Sequence, residues 1–286
     1  MSKLDQFESA FKSASKAQYA HREVTVRSAM LLTDLKGEPA RRFASDLRGF
    51  LPVLDAEQDV AWSDHSIEVD HDAARLLELI EDARPDLICS YRNVRGPARD
   101  FPFSLGAYVD VLCQATTTPV LLVPAPDEDG RLSAGCRNTE HVMVLTDALT
   151  GNDALVHWGA RLVEPAGTLV LAHLEDDATF QRYIDTIGKI PSIDTEVAEE
   201  TLALQLLKEP RDYARSCELG LASSRPKLTV RTAVEMGHRI VDCRRLIEQF
   251  EIDLVVLNTK DQDQLAMHGL AYPLAVELRD VPLLML

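Results

Sequence analysis

Ala29-Met-Leu-Leu-Thr-Asp34 returns in the second half of the chain as Val142-Met-Val-Leu-Thr-Asp147. Both are apolar, β-prone runs closed by Thr-Asp, and the sequences that follow them continue to correspond. Asp86-Leu-Ile-Cys after the helical run 74–84 answers to Asp253-Leu-Val-Val after 244–251, and Pro119-Val-Leu-Leu-Val answers to Pro282-Leu-Leu-Met-Leu. In each copy a glycine, Gly106 or Gly269, precedes that proline by the same interval. A repeat longer than about a hundred residues exceeds the unit of a stacked array, so the chain reads as two similar domains in tandem.

The composition accommodates two cores. The 286 residues are 46% hydrophobic and 27% charged, ordinary values for a globular chain of about two domains. No apolar run approaches the ~20 residues of a membrane span, and the N-terminal MSKLDQFESAFKSASKAQ lacks the apolar centre and cleavage pattern of a secretory leader; the expectation is therefore a cytoplasmic protein. A formal net charge of −16 disfavours nucleic acid and anionic membranes as partners, since both select basic surfaces. Cys89, Cys113, Cys136, Cys217 and Cys243 show neither a disulfide framework nor paired metal-ligand spacing, and they read as buried thiols, with Cys136 in a linker open to exposure.

Periodicity divides residues 24–124, the first domain, into strands at 24–32, 60–62, 87–90 and 120–123 and helices at 39–50, 72–83 and 106–116. The stripe Ala73, Leu76, Leu77 and Ile80 faces inward, with Asp70 or Asp72 as N-cap and Arg84-Pro85 closing the helix. Residues 125–139, rich in Pro, Gly and charge, form a linker. The second domain, 140–286, has strands at 141–145, 168–173, 228–234, 254–257 and 283–286 and helices at 153–163, 239–250 and 270–278. Residues 175–226 have no counterpart in the first copy and read as a helical insertion divided or kinked at Pro210. Residues 1–23 form a helical or flexible extension, with Leu4, Phe7 and Phe11 at helical spacing. Alternating strands and helices imply an α/β fold with parallel sheets.

The order of these elements resembles the universal stress protein family in its tandem form. The resemblance covers residues 24–286. It implies two adenine nucleotide alpha hydrolase-like domains, each a parallel sheet of about five strands with helices on both faces. Some members bind ATP through an aspartate ending the first strand and a Gly-x2-Gly-x9-Gly-(Ser/Thr) loop after the fourth. Asp34 and Asp147 match the aspartate. In the first copy Gly96 and Gly106 match two glycines, Asn93 stands where the first glycine falls, and Ala107 stands where the hydroxyl residue falls.

Glycines in such a loop admit phosphate oxygens to backbone N–H groups, beside the positive end of the following helix. Asn tolerates the left-handed region next best, so Asn93 is a mild departure. Arg92, Arg95 and Arg99 give the loop cations suited to a triphosphate, or ordinary surface pairing partners. The candidate nucleotide-binding residues are thus Asp34, Asn93, Arg95, Gly96, Gly106 and Ala107, for ATP or AMP if a cofactor binds at all. A valine at Gly96 is expected to block the backbone approach. In the second copy the interval from Asp253 to Gly269 is four residues shorter than from Asp86 to Gly106, and Asp261 and Asp263 bring negative charge to the phosphate position. That site reads as inactive.

Asp64-His65 with Asp70-His71-Asp72 supplies metal-ligand residue types, but consecutive residues at a helix start read as capping rather than coordination. His173 ends a strand at a position that often lines the cleft in this family, and reads as a hydrogen-bonded structural residue. Trp62 and Trp158 read as core or interface aromatics. There is no Ser-His-Asp order, no carboxylate pair and no P-loop. The expected function is a non-enzymatic stress-response or signalling protein acting through protein contacts, with a degenerate nucleotide site, an internal pseudo-dimer and a possible homodimer. An adenine-nucleotide sensor or weak ATPase is the alternative. A nucleotide-processing or flavoprotein-like enzyme of related architecture is a third reading, which lacks an acid, base or nucleophile set.

Overall fold

The computed structural model describes residues 17–55, 59–67, 73–96, 103–259 and 271–286. The first half supplies β1 (Ser28–Thr33), α1 (Gly37–Phe50), α2 (Pro52–Asp55), β2 (Ala61–Ser66), α3 (Ala73–Ala83), β3 (Leu87–Tyr91), α4 (Ala107–Ala115) and β4 (Val120–Val123). The second supplies β5 (His141–Thr146), α5 (Asp153–Leu162), β6 (Thr168–Asp176), α6 (Asp177–Ile187), α7 (Thr195–Ser224), β7 (Thr229–Gly237), α8 (Arg239–Gln249), β8 (Leu254–Leu257), α9 (Ala271–Glu277) and β9 (Leu283–Met285). These strands form one sheet in the order β2-β1-β3-β4-β9-β8-β5-β6-β7.

The pairings are parallel except where β4 meets β9 antiparallel, with Val120 opposite Met285 and Leu122 opposite Leu283. Both faces of the inner strands are covered by helices. Leu87–Tyr91, Val120–Val123 and Leu254–Leu257 are accordingly buried at every residue and read as continuous rather than alternating apolar runs. The polar Ala61–Ser66 lies at an edge, where one side of the strand is uncovered.

Among the described residues the second half has five strands ordered β7-β6-β5-β8-β9, while the first has four, β2-β1-β3-β4. Between β2 and α3 there are only residues 67–72, too few for a crossover helix and a further strand. The segment 175–226 that looks inserted in the second half contains the connection from β6 to β7: Pro210, Tyr213, Ala214, Cys217 and Leu221 of α7 are buried. Pro210 sits inside one 30-residue helix rather than dividing two. β2 runs past Trp62 to Ser66, taking in Asp64 and His65, and residues 24–27 carry no regular structure. The capping residues Asp70 and Asp72, with His71, and the stripe Leu4, Phe7 and Phe11 lie outside the described residues.

Three further features tie the halves together. Arg92 of the first half is buried and donates from Nη2 to the carbonyls of Ala275 and Leu278 at the end of α9. Arg161 of α5 is also buried and donates to the carbonyls of Val53 at 2.7 Å and Leu54 at 3.0 Å in α2. Each guanidinium thus meets carbonyls of a short helix in the opposite half, where its charge is favourably placed. Residues 17–27 form a strap over the second half before entering β1, with Tyr19 N–H donating to Ser216 Oγ at 3.1 Å and Arg22 N–H to His157 Nε2 at 3.1 Å. All five cysteines are buried, Cys136 of the linker included. Among the described residues no helix is long and apolar enough to cross a membrane.

Candidate functional site

The carboxyl ends of β1 and β3 diverge because β1 is followed to its β2 side and β3 to its β4 side, which opens a crevice at the switch in strand order. Asp34 stands directly after β1 in this crevice, and the loop 92–96 leaves β3 beside it. The structure brings Asp34, Asn93, Arg95, Gly96, Gly106 and Ala107 to this one end of the sheet. It also bonds Asp34 and the backbone amides of Asn93, Arg95, Gly96 and Gly106 to partners within the fold.

Tyr91, the last residue of β3, donates its hydroxyl to Asp34 Oδ1; it also accepts from Asp34 N–H at 3.2 Å and lies 3.2 Å from Thr33 Oγ1. Its ring is buried and packs edge-on against Phe43 at 5.0 Å between centroids. Burial, then the adjacent Asp34 carboxylate, pushes the phenol pKa up to about 12, so the hydroxyl remains a donor at neutral pH. The other carboxylate oxygen of Asp34 accepts from Arg95 N–H at 3.2 Å.

The loop amides have similar fates. Arg92 N–H donates to Val123 O, Asn93 N–H to Leu105 O at 2.8 Å, Val94 N–H to Tyr91 O and Gly96 N–H to Asn93 O at 2.7 Å. Gly106 N–H donates to Ser104 Oγ at 3.1 Å. The loop therefore presents no run of unbonded N–H groups from 92 to 96, which a phosphate cradle requires. Asn93 adopts φ 54°, the left-handed conformation read from its type, and Arg95 does so at φ 65°. Gly106 is the glycine whose identity matters here. Its φ is +93°, and a Cβ there would lie 2.9 Å from Asn93 Cα. At Gly96 the nearest atom to an added Cβ is 3.4 Å away.

The reading of Arg92 as a phosphate cation is corrected by its position. It turns away from the crevice into the junction between halves, and burial there lowers its pKa to about 10. Arg99 lies outside the described residues, as do Gly269, Asp261 and Asp263. Ala107 begins α4 and offers no hydroxyl.

Beside the crevice a cleft of about 410 Å³ opens over the ends of β1 and β2, lined by Thr33, Lys36, Arg41, Asp64, His65 and Ser66 among others. Sequence reasoning missed Tyr91 and this cleft. The signal for Tyr91 was its place at the carboxyl end of a buried strand, where ligands bind in such folds.

In the second half Asp147 faces Arg239, whose Nη2 lies 3.4 Å from it while Nε lies 3.2 Å from Asp176. His173 is 3% exposed, and its ring nitrogens have no hydrogen-bond partner among the described residues. It is not the hydrogen-bonded residue its position suggests. Its Nε2 lies 3.4 Å from Glu175, yet burial outweighs that carboxylate and lowers its pKa. Among the described residues no group of three or more His, Cys, Asp or Glu is arranged to hold a metal ion.

No protein-family model matches the chain, and no curated protein matches it. Solved structures with a related arrangement do exist. A universal stress protein from Archaeoglobus fulgidus DSM 4304 is 12% identical over 90% of this chain and 95% of its own, with a TM-score of 0.47. A functionally unknown protein from Pseudomonas aeruginosa PAO1 is 12% identical over 91% and 92%, with a TM-score of 0.48. Likenesses of this degree assign neither ligand nor activity to the chain.

Proposed function

We propose that this chain is a tandem universal stress protein-like protein, an internal pseudo-dimer of the cytoplasm that acts in stress response or signalling through protein contacts. Its adenine-nucleotide site, on this reading, is degenerate in both halves. The observation that supports it is that Asp34 and the amides of residues 92–96 are bonded within the fold, although Arg95 Nε has no partner among the described residues. Tyr91 and Arg95 N–H hold both oxygens of Asp34, and the amides of residues 92–96 are bonded within the fold. A nucleotide would have to break these bonds to gain its own, and each unpaired buried group costs about 1–3 kcal/mol. The counterpart aspartate in the second half, Asp147, is occupied by Arg239.

The alternative is an ATP- or AMP-binding sensor or slow ATP hydrolase using the first half. The 410 Å³ cleft beside Thr33, with Lys36 and Arg41 on its wall, favours it. Mass spectrometry of acid-released material from the purified protein separates the two. The proposal expects no adenine nucleotide above a few per cent of the protein; stoichiometric ATP or AMP would establish the alternative.

A further inference from the structure

The connection from β6 to β7 is longer than the sheet needs. From Asp185 to Glu209 no residue is buried, although the stretch includes the first four turns of α7. Burial in α7 begins at Pro210. The earlier arm carries apolar side chains in the open: Val197 is 61% exposed and Leu204 62%, with Ile193 just before the helix at 42%. A helix in water is held chiefly by packing of an apolar face; α6 packs against α7, and the side of the arm that bears Val197 and Leu204 is left uncovered.

The residues form a pattern. Val197, Glu200, Leu204, Lys208, Arg211 and Arg215 recur at intervals of three and four, so they share one stripe along the helix. At 3.6 residues per turn the stripe lies about a third of the way round from the buried column Pro210, Tyr213, Ala214, Cys217 and Leu221. Its charges are ordered, acidic at Glu200 and basic at Lys208, Arg211 and Arg215, with Leu204 midway between Glu200 and Lys208. Lys208 is held at 2.5 Å by Asp212 on its own helix, which keeps its ammonium on the helix surface. Arg211 reaches the carbonyl of Val234 at 3.2 Å.

We propose that the exposed arm of α7 is an interface for a second copy of this chain, the two arms packing antiparallel about a two-fold axis at Leu204. Only that arrangement sets unlike charges opposite one another along the stripe. Position 204 meets itself, Glu200 faces Lys208 of the other copy and Val197 faces the stem of Arg211, and the symmetry repeats each contact. A parallel pairing would set like on like at every position. The inference goes beyond the nucleotide question and does not depend on it. The contact is one helix against another, at the small end of specific interfaces, so the dimer forms with a Kd of about 1–100 µM.

Sedimentation velocity of the full chain from about 1 to 300 µM tests this. The expected result is a monomer–dimer equilibrium that Leu204→Glu weakens at least tenfold, with circular dichroism unchanged because the site lies outside the core. Glu200→Lys and Lys208→Glu should each weaken the dimer, and the double exchange should restore it beyond either single variant, since it only reverses the sense of each pair. A chain monomeric throughout would overturn the proposal and turn the arm over to a different protein partner. A dimer indifferent to Leu204→Glu, or a double exchange no better than the singles, would overturn it equally.

Discussion

At the scale of single residues, backbone geometry separates two glycines that the sequence motif treats alike. Gly106 holds φ +93° with Asn93 Cα where a Cβ would need to go, whereas Gly96 has ordinary clearance. Gly106→Ala should therefore lower stability by about 1–3 kcal/mol, the usual cost of a strained backbone position. Gly96→Ala should stay within about 0.5 kcal/mol. Urea denaturation of both variants checks this, and equal losses would show that the loop is not packed as described. His173 makes a second prediction. Its folded pKa lies below the ordinary histidine value of about 6.5 because it is buried. Above that pH the residue is neutral in both states and contributes no change. As pH falls from about 6.5 towards the folded value the unfolded chain takes up the proton first, so stability declines over that window. His21, also lowered by burial and then by His157 and Arg225, acts in the same direction. Replacing His173 with Asn should reduce the drop in urea midpoint between pH 7.5 and 5.5; an unchanged drop would contradict the assignment.

At the scale of elements, β9 sits between β8 and β4 and is the only described strand joining the two halves of the sheet. Removing residues 282–286 leaves two uncovered apolar edges and strips Thr259 of its bonds to Leu286. The truncated chain should lose cooperative unfolding and aggregate, as seen by a broadened or absent calorimetric transition. A sharp transition at the original temperature would show that the junction contributes little. Elements of this kind were legible in advance because burial on both faces dictates residue type: 120–123 and 254–257 are nothing but Val and Leu. The edge strand was legible only at its start, 60–62, since Ser63, Asp64 and His65 answer to solvent on one side and lose the apolar signature. The role of 175–226 was hidden for a different reason. Among the described residues the first half has no strand matching β7, so comparison of the copies could not show that this segment also carries the crossover from β6 to β7.

At the scale of the whole molecule, the candidate site was half legible. Asp34, Asn93, Arg95, Gly96, Gly106 and Ala107, named from the resemblance, lie at the end of the sheet where strand order reverses, and Asn93 takes the left-handed conformation its type permits. What the spacing could not convey is where polar groups go. Arg92 finds Ala275 and Leu278 far along the chain, and Tyr91 reaches back to Asp34, so the described start of a loop that reads as basic is tied into the fold. The reciprocal arginines, the shared sheet and the strap from 17 to 27 make the halves one body, whose exposed features are the cleft over β1 and β2 and the arm of α7. On the proposed function, this body offers adenine nucleotides no competent site. Isothermal titration of the full chain with ATP, with and without magnesium, tests it most directly. The account predicts no saturable heat up to about 1 mM ligand; a one-to-one isotherm with a Kd below about 0.1 mM, abolished by Gly96→Val, would contradict it.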